Sequence, residues 1–103
     1  MKLKELILAV KEKNLTKDQL ESYRDEMSHV YADMQFELAD VEKEKALFFA
    51  DNEFSGAVAN SDVAIKRMWQ SKKGGLREIE LKRYALATKE MLNSLKSRLY
   101  SIY

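Results

Sequence analysis

The sequence predicts an all-α protein: a long antiparallel helical hairpin of the coiled-coil type, with a short N-terminal helix that completes a small helical bundle. Its 103 residues include no proline and three glycines, so few positions favour a break in a helix. Apolar residues also recur every seven positions over about 36 residues, which is the repeat of a helix with one packed seam. Because a helix of that length is not stable alone in water, the rest of the chain is expected to cover it.

The first predicted helix covers residues 2–13. Its apolar residues follow the spacing of a single helix face, with lysines and glutamates on the other side. These residues are Leu3, Leu6, Ile7 and Val10. Asn14 is expected to end the helix, because asparagine tolerates the left-handed conformation that is common just past a helix C-terminus.

The second predicted helix covers residues 17–52. Thr16 and Gln19 have the spacing of a capping box, in which each side chain accepts a hydrogen bond from the other residue's backbone N–H. Leu15 and Leu20 add the apolar pair that fixes the direction of chain entry. The seam of this helix consists of Leu20, Met27, Met34, Val41 and Phe48.

The returning arm of the hairpin is predicted to consist of two helices. A cluster of asparagine, serine and glycine indicates a turn at residues 53–57. A helix over 58–73 follows, although Asn60, Ser61 and Asp62 could place its start a little later. Then come a kink at Gly74–Gly75 and a last helix over 76–101. The kink is expected because the apolar stripe changes phase across the two glycines, which are poor helix formers. The whole chain, 1–103, is expected to form a single helical domain.

Charge is divided unevenly between the two arms. Residues 1–51 carry twelve acids and eight bases, whereas residues 52–103 carry five acids and ten bases. An acidic helix against a basic arm would fix the antiparallel register. A basic surface that binds phosphates is the competing interpretation.

The composition excludes several functional classes. With no cysteine, the chain can form neither a disulfide nor a thiolate metal site. Its uninterrupted apolar runs, such as Leu6 to Val10, are too short to span a membrane or to form a signal-peptide core, so we expect a cytoplasmic protein with no membrane partner. One histidine among scattered serines cannot supply a catalytic triad. We therefore expect no enzymatic activity and no cofactor.

Glu26 and His29 have the Glu-x-x-His spacing of carboxylate-bridged di-iron bundles, in which both side chains reach one metal. A second such motif would have to come from a second copy of the chain. The favoured interpretation is a solvated histidine that pairs with Asp25 or Asp33, and no metal site. A dimeric metal-binding bundle is the most distant of the alternatives.

Residues 65–77, called here the basic segment, hold the candidate binding residues. They are Lys66, Arg67, Trp69, Lys72, Lys73 and Arg77. Basic and aromatic side chains interleaved in this way can hold phosphates and stack on unpaired bases. Tryptophan and arginine are also enriched at protein interfaces. The third interpretation is that Trp69 fills the core beside Ile65.

The long helix has a second apolar side away from its seam. It consists of Ala32, Phe36, Ala39 and Ala46. A short chain has few further helices to cover two sides of one helix, so this flank predicts self-association, with a homodimer as the expected form.

The C-terminal third resembles small all-helical accessory proteins of tailed bacteriophages. The resemblance runs from Trp69 through Gly74, Arg77, Glu78 and Leu81–Tyr84 to Leu95–Leu99. It implies an accessory or host-interaction protein, an inhibitor or adaptor, in the host cytoplasm. The function we expect is therefore non-enzymatic binding of a macromolecule through protein–protein contacts. The alternative is a nucleic-acid-binding accessory protein that uses the basic segment.

Overall fold

A computed structural model describes residues 3–102, and the predicted helical start at Lys2 lies outside them. The described part of the chain contains four helices and one small hairpin of two strands. They are α1 (Leu3–Val10), α2 (Lys17–Asp51), β1 (Phe54–Ser55), β2 (Val58–Ala59), α3 (Asp62–Gln70) and α4 (Lys73–Ile102). The predicted fold class is confirmed, because α2 and α4 pack together as a helical hairpin and the short α1 completes a bundle.

The chain divides into two compact units where the sequence predicted one domain. Unit 1 holds the described residues up to Gln35 and from Tyr84 onward, and unit 2 is Phe36–Arg83. Both long helices contribute to each unit.

Unit 1 has a core built from three helices. The buried apolar side chains of its core cluster come from α1, the first half of α2 and the second half of α4. They are Leu6, Val10, Leu20, Met27, Leu95 and Leu99. Ile7, Leu15 and Tyr23 pack against this cluster from its edge. The N-terminal helix is therefore an integral part of the core.

The start of α2 agrees with the predicted capping box. The Thr16 backbone N–H donates to Gln19 Oε1 at 2.9 Å, and the Gln19 N–H donates to Thr16 Oγ1 at 3.2 Å. These two bonds satisfy backbone donors that the first helical turn cannot pair by itself. Helix α2 ends at Asp51, one residue before the predicted end.

The end of α1 differs from the prediction. The helix stops at Val10, three residues earlier than expected, and Asn14 lies in the link to α2. Arg98 on α4 donates hydrogen bonds to the carbonyl oxygens of Val10 and Glu12. Its guanidinium thus supplies donors to carbonyls that have no helical partner, and it fastens α1 to the last turns of α4.

The predicted turn at 53–57 is a small β-hairpin, and the prediction that a helix begins at 58 is wrong. Strands β1 and β2 pair antiparallel, with Phe54 opposite Ala59. Gly56, with φ of +64°, is the first of two loop residues, where glycine costs least. Asn60 closes the hairpin through its backbone N–H, which donates to the Glu53 oxygen at 2.8 Å.

Helix α3 begins at Asp62 because Ser61 caps it. The Ser61 Oγ accepts a hydrogen bond from the Ala64 N–H at 3.2 Å. The helix ends at Gln70, before the predicted end at 73. The break between α3 and α4 lies at Ser71–Lys72, and both glycines of the expected kink lie inside the first turn of α4.

Unit 2 buries four large apolar side chains contributed by α2, α3 and α4. They are Val41, Ile65, Trp69 and Leu81. Trp69 is the largest of the fully buried side chains in the described part of the chain. None of the helices within residues 3–102 is long and apolar enough to cross a membrane.

We expect Leu95→Ala to lower the free energy of unfolding by about 2–5 kcal/mol, because it opens a cavity in the unit 1 core where Leu95 has no exposed surface. Leu86→Ala is the matched control on the same helix, since Leu86 is largely exposed. Denaturant unfolding followed by circular dichroism measures both. Equal losses for the two variants would show that the core is assigned to the wrong face of α4.

Candidate functional site

Trp69 is a core residue of unit 2 and not a surface residue. Its side chain is 1% exposed, and its ring lies 5.6 Å from the Phe48 ring, centroid to centroid. The indole Nε1 donates to Glu78 Oε1 at 3.4 Å. Of the three interpretations of this tryptophan, the structure agrees with the core residue, and no face of the ring is left on which a base could stack.

Glu78 is a buried carboxylate that the sequence did not single out as structural. Its Oε1 also accepts from Lys45 Nζ at 3.3 Å, and Lys82 Nζ lies 3.8 Å from Oε2. Oε2 is buried without a hydrogen-bond partner among the described residues. Lys45 and Lys82 therefore offset the free-energy cost of burying the Glu78 carboxylate, which accepts the hydrogen bond from the indole.

Gly74 and Gly75 allow the start of α4 to pass directly over Trp69. A Cβ on Gly74 would lie 2.6 Å from the indole ring, and one on Gly75 would lie 1.9 Å from the Trp69 carbonyl oxygen. Because the second clash is with backbone, no side-chain rotation relieves it. The two glycines are therefore sites of close packing, and the continuous α4 does not kink there.

Two further residues of the basic segment interact within unit 2. Arg77 binds both carboxylate oxygens of Glu37, at 2.7 and 2.8 Å, and it also pairs with Glu80. This hydrogen-bonded pair lowers the pKa of Glu37 from its ordinary value of 4.5 and raises the pKa of Arg77. Lys72 Nζ lies 4.5 Å from the centroid of the Phe48 ring, a cation–π contact.

The remaining three cations of the segment are Lys66, Arg67 and Lys73. All three are exposed, and within the described part of the chain none of them forms an ion pair. Lys66 and Arg67 lie on α3, whereas Lys73 begins α4 and lines a separate depression with Glu44 and Arg77. The six predicted binding residues thus do not form one continuous basic surface.

The predicted self-association flank is uncovered. Ala32, in unit 1, is exposed, and so are Phe36, Ala39 and Ala46 in unit 2. Phe36 is 74% exposed, and Leu47, about three turns further along α2, is 67% exposed. Large apolar side chains exposed in this way on one helix are typical of surfaces that meet another molecule.

Unit 2 also has a groove that the sequence analysis missed, called here the α2–α3 groove. It has a volume of about 470 Å³. Its lining combines apolar residues with three acids and one lysine. These are Ala46, Phe49, Ala50 and Ile65 together with Glu42, Glu53, Asp62 and Lys45.

The charges around the α2–α3 groove are unbalanced. Glu42, Glu53 and Asp62 form no ion pair within residues 3–102. Lys45 of the lining pairs with Glu78, at 3.3 Å between Nζ and Oε1. The groove is therefore an apolar floor beside three uncommitted carboxylates.

Glu26 and His29 both lie on α2 in unit 1. His29 is exposed. The described residues include no group of three or more histidine, cysteine, aspartate or glutamate side chains placed to hold a metal ion.

No protein-family model, no curated protein and no solved structure matches the chain. The geometry and charges of its own residues are therefore the basis of a functional argument.

We expect Gly75→Ala to destabilise the protein by about 1–3 kcal/mol, as overpacking does, although alanine is the better helix former by about 1 kcal/mol. The reason is the clash of the added Cβ with the Trp69 carbonyl oxygen. Gly56→Ala is the comparison, since nothing lies within 4 Å of its added Cβ and only its positive φ is unfavourable. Denaturant unfolding should show the larger loss for Gly75→Ala. A gain in stability at position 75 would contradict the close packing of α3 and α4.

Proposed function

We propose that this protein is a non-enzymatic binding protein that receives a basic, amphipathic segment of another protein in the α2–α3 groove of unit 2. The observation that carries the proposal is an apolar floor flanked by three carboxylates that have no partner in the described chain. An amphipathic helix lays its apolar face into a groove of this kind, and its basic residues complement the acids at the edge. The accessory role, as an inhibitor or adaptor, that the resemblance to phage proteins implies is part of this proposal.

The groove supports peptide recognition better than small-molecule chemistry. Its apolar residues come from two neighbouring helices, α2 and α3, and three exposed acids stand beside them. Small-molecule sites are enclosed and bury most of their ligand, whereas a helical segment needs a long open surface. The partner is thus expected to bring leucine-like anchors at helical spacing and lysine or arginine on the flanks.

The nucleic-acid alternative rests on Lys66, Arg67 and Lys73, the three uncommitted cations of the basic segment. Because Trp69 is buried and Arg77 is paired with Glu37, these three cations would have to act without a stacking platform and without Arg77. This weakens the alternative relative to protein binding. Salt-dependent binding to RNA or DNA is the result that this alternative predicts.

The test uses a fluorescent synthetic peptide of about 18 residues, or five helical turns, with leucines along one face and lysines elsewhere. Fluorescence anisotropy should show saturable binding that weakens as salt is added. A peptide with glutamate in place of each lysine is the matched control and should not bind. Equal binding of both peptides would contradict recognition by the acidic residues.

A protein variant locates the site. Glu53→Lys with Asp62→Asn should reduce affinity for the basic peptide at least tenfold, because it reverses one charge and removes another at the groove. Glu90→Lys is the control, since Glu90 is an exposed acid of unit 1 without an ion pair in residues 3–102. Circular dichroism confirms that each variant is folded. Unchanged peptide binding by the double variant, or salt-dependent retention on RNA that Lys66→Glu abolishes, would overturn the proposal.

A further inference from the structure

The outer face of α2 in unit 2 has a regular pattern of its own. Each residue of a helix is rotated by about 100° about the helix axis relative to the one before it. Viewed along that axis, five exposed residues of α2 lie within about 40° of the direction opposite the buried Val41. They are Phe36, Ala39, Lys43, Ala46 and Ala50. Their spacing of three and four residues is the spacing of a second coiled-coil seam.

We infer that this outer face is the contact between two copies of the chain, which pair through their α2 helices in antiparallel orientation. This inference does not rest on the α2–α3 groove as a binding site, although the outer face shares Ala46 and Ala50 with the lining of the groove. It specifies the register of the contact, which the exposed apolar flank alone does not.

Side-chain sizes fit an antiparallel pair about a two-fold axis level with residue 41. Ten residues separate Phe36 from Ala46, and the axis places each Phe36 opposite Ala46 of the second copy. In the same register Ala39 lies opposite Lys43 of the second copy. In both of these pairings a large side chain meets a small one, which is the condition for knobs to enter holes.

Charge selects the same orientation. Lys43 is the one charged residue of the seam, and a lysine at a single core position of a coiled coil specifies register and partner number. In the antiparallel register it lies beside Asp40 of the second copy, next to Ala39. Neither Lys43 nor Asp40 forms an ion pair within residues 3–102.

A parallel pair of α2 helices would fit less well in both charge and side-chain size. It would place the two Lys43 side chains opposite one another, and like charges in contact are unfavourable. It would also place Phe36 against Phe36 and leave the alanine layers too far apart to touch. The second copy in the antiparallel register is thus the occupant that the outer face fits.

The experiment is sedimentation equilibrium at concentrations up to about 1 mM, the weak end of specific association. The unmodified protein should show a monomer–dimer equilibrium. Phe36→Glu and Lys43→Glu should each be monomeric. The first variant places a charge in the seam, and the second places a glutamate beside Asp40 of the second copy, where the two like charges repel each other. An unmodified protein that stays monomeric throughout this range overturns the inference.

Charge exchange tests the register. Adding Asp40→Lys to Lys43→Glu restores opposite charges across the axis and should restore the dimer. Lys89→Glu is the control for a lost lysine, since Lys89 is exposed on α4 and unpaired in residues 3–102. A double variant that remains monomeric while it is folded would contradict the antiparallel register.

A cysteine tests the orientation, since the chain has none of its own. With Ala46→Cys, oxidation should give no disulfide-linked dimer, because ten residues put the two sulfur positions about 15 Å apart along the axis. Ready cross-linking would show a parallel pair and overturn the inference.

Ala46 and Ala50 border both the seam and the α2–α3 groove, so the two proposals need separate readouts. Lys43→Glu changes no residue that lines the groove. It should abolish the dimer without weakening binding of the basic peptide. Loss of peptide binding together with the dimer would show that the groove forms only in the dimer, and would contradict the independence stated above.

Discussion

The burial of Trp69 is the interaction on which the rest of unit 2 depends. An indole needs a large volume and a hydrogen-bond acceptor, and in this chain both are supplied across three helices. Phe48 of α2 packs against the ring, and Glu78 of α4 accepts from its nitrogen. The glycine pair at the start of α4 then lets the backbone approach the end of α3 more closely than any side chain would allow.

This arrangement determines which charges are left for binding. Lys45 forms an ion pair with Glu78, and Arg77 forms one with Glu37. These charges are therefore paired within unit 2, which the sequence alone does not show. What remains uncommitted is a set of acids beside an apolar groove and a few separate cations. A partner therefore meets unit 2 first through an acidic and apolar surface, although the C-terminal half of the sequence is basic.

Much of the fold could be predicted from local patterns. The capping box at Thr16, the seam of α2 and the helical class depend on spacing within one helix, which the sequence displays directly. The hairpin at 54–59 could not be predicted, because two-residue strands carry no alternation to recognise. Nor could the role of Gly74 and Gly75 be decided, since a glycine that bends a helix and one that permits close packing look alike in sequence. The α2–α3 groove depends on how two helices meet, and Arg98 acts on carbonyls more than eighty residues away.

The single tryptophan makes the central claim directly measurable. Trp69 fluorescence in the folded protein should be shifted to shorter wavelength than in denaturant, and quenching by iodide and acrylamide should be several-fold weaker than for the unfolded chain. Emission at the wavelength of a solvated indole, with quenching as efficient as in the denatured protein, would contradict the account. Trp69 would then be a surface residue, and the basic segment would regain the stacking platform that the structure places in the core.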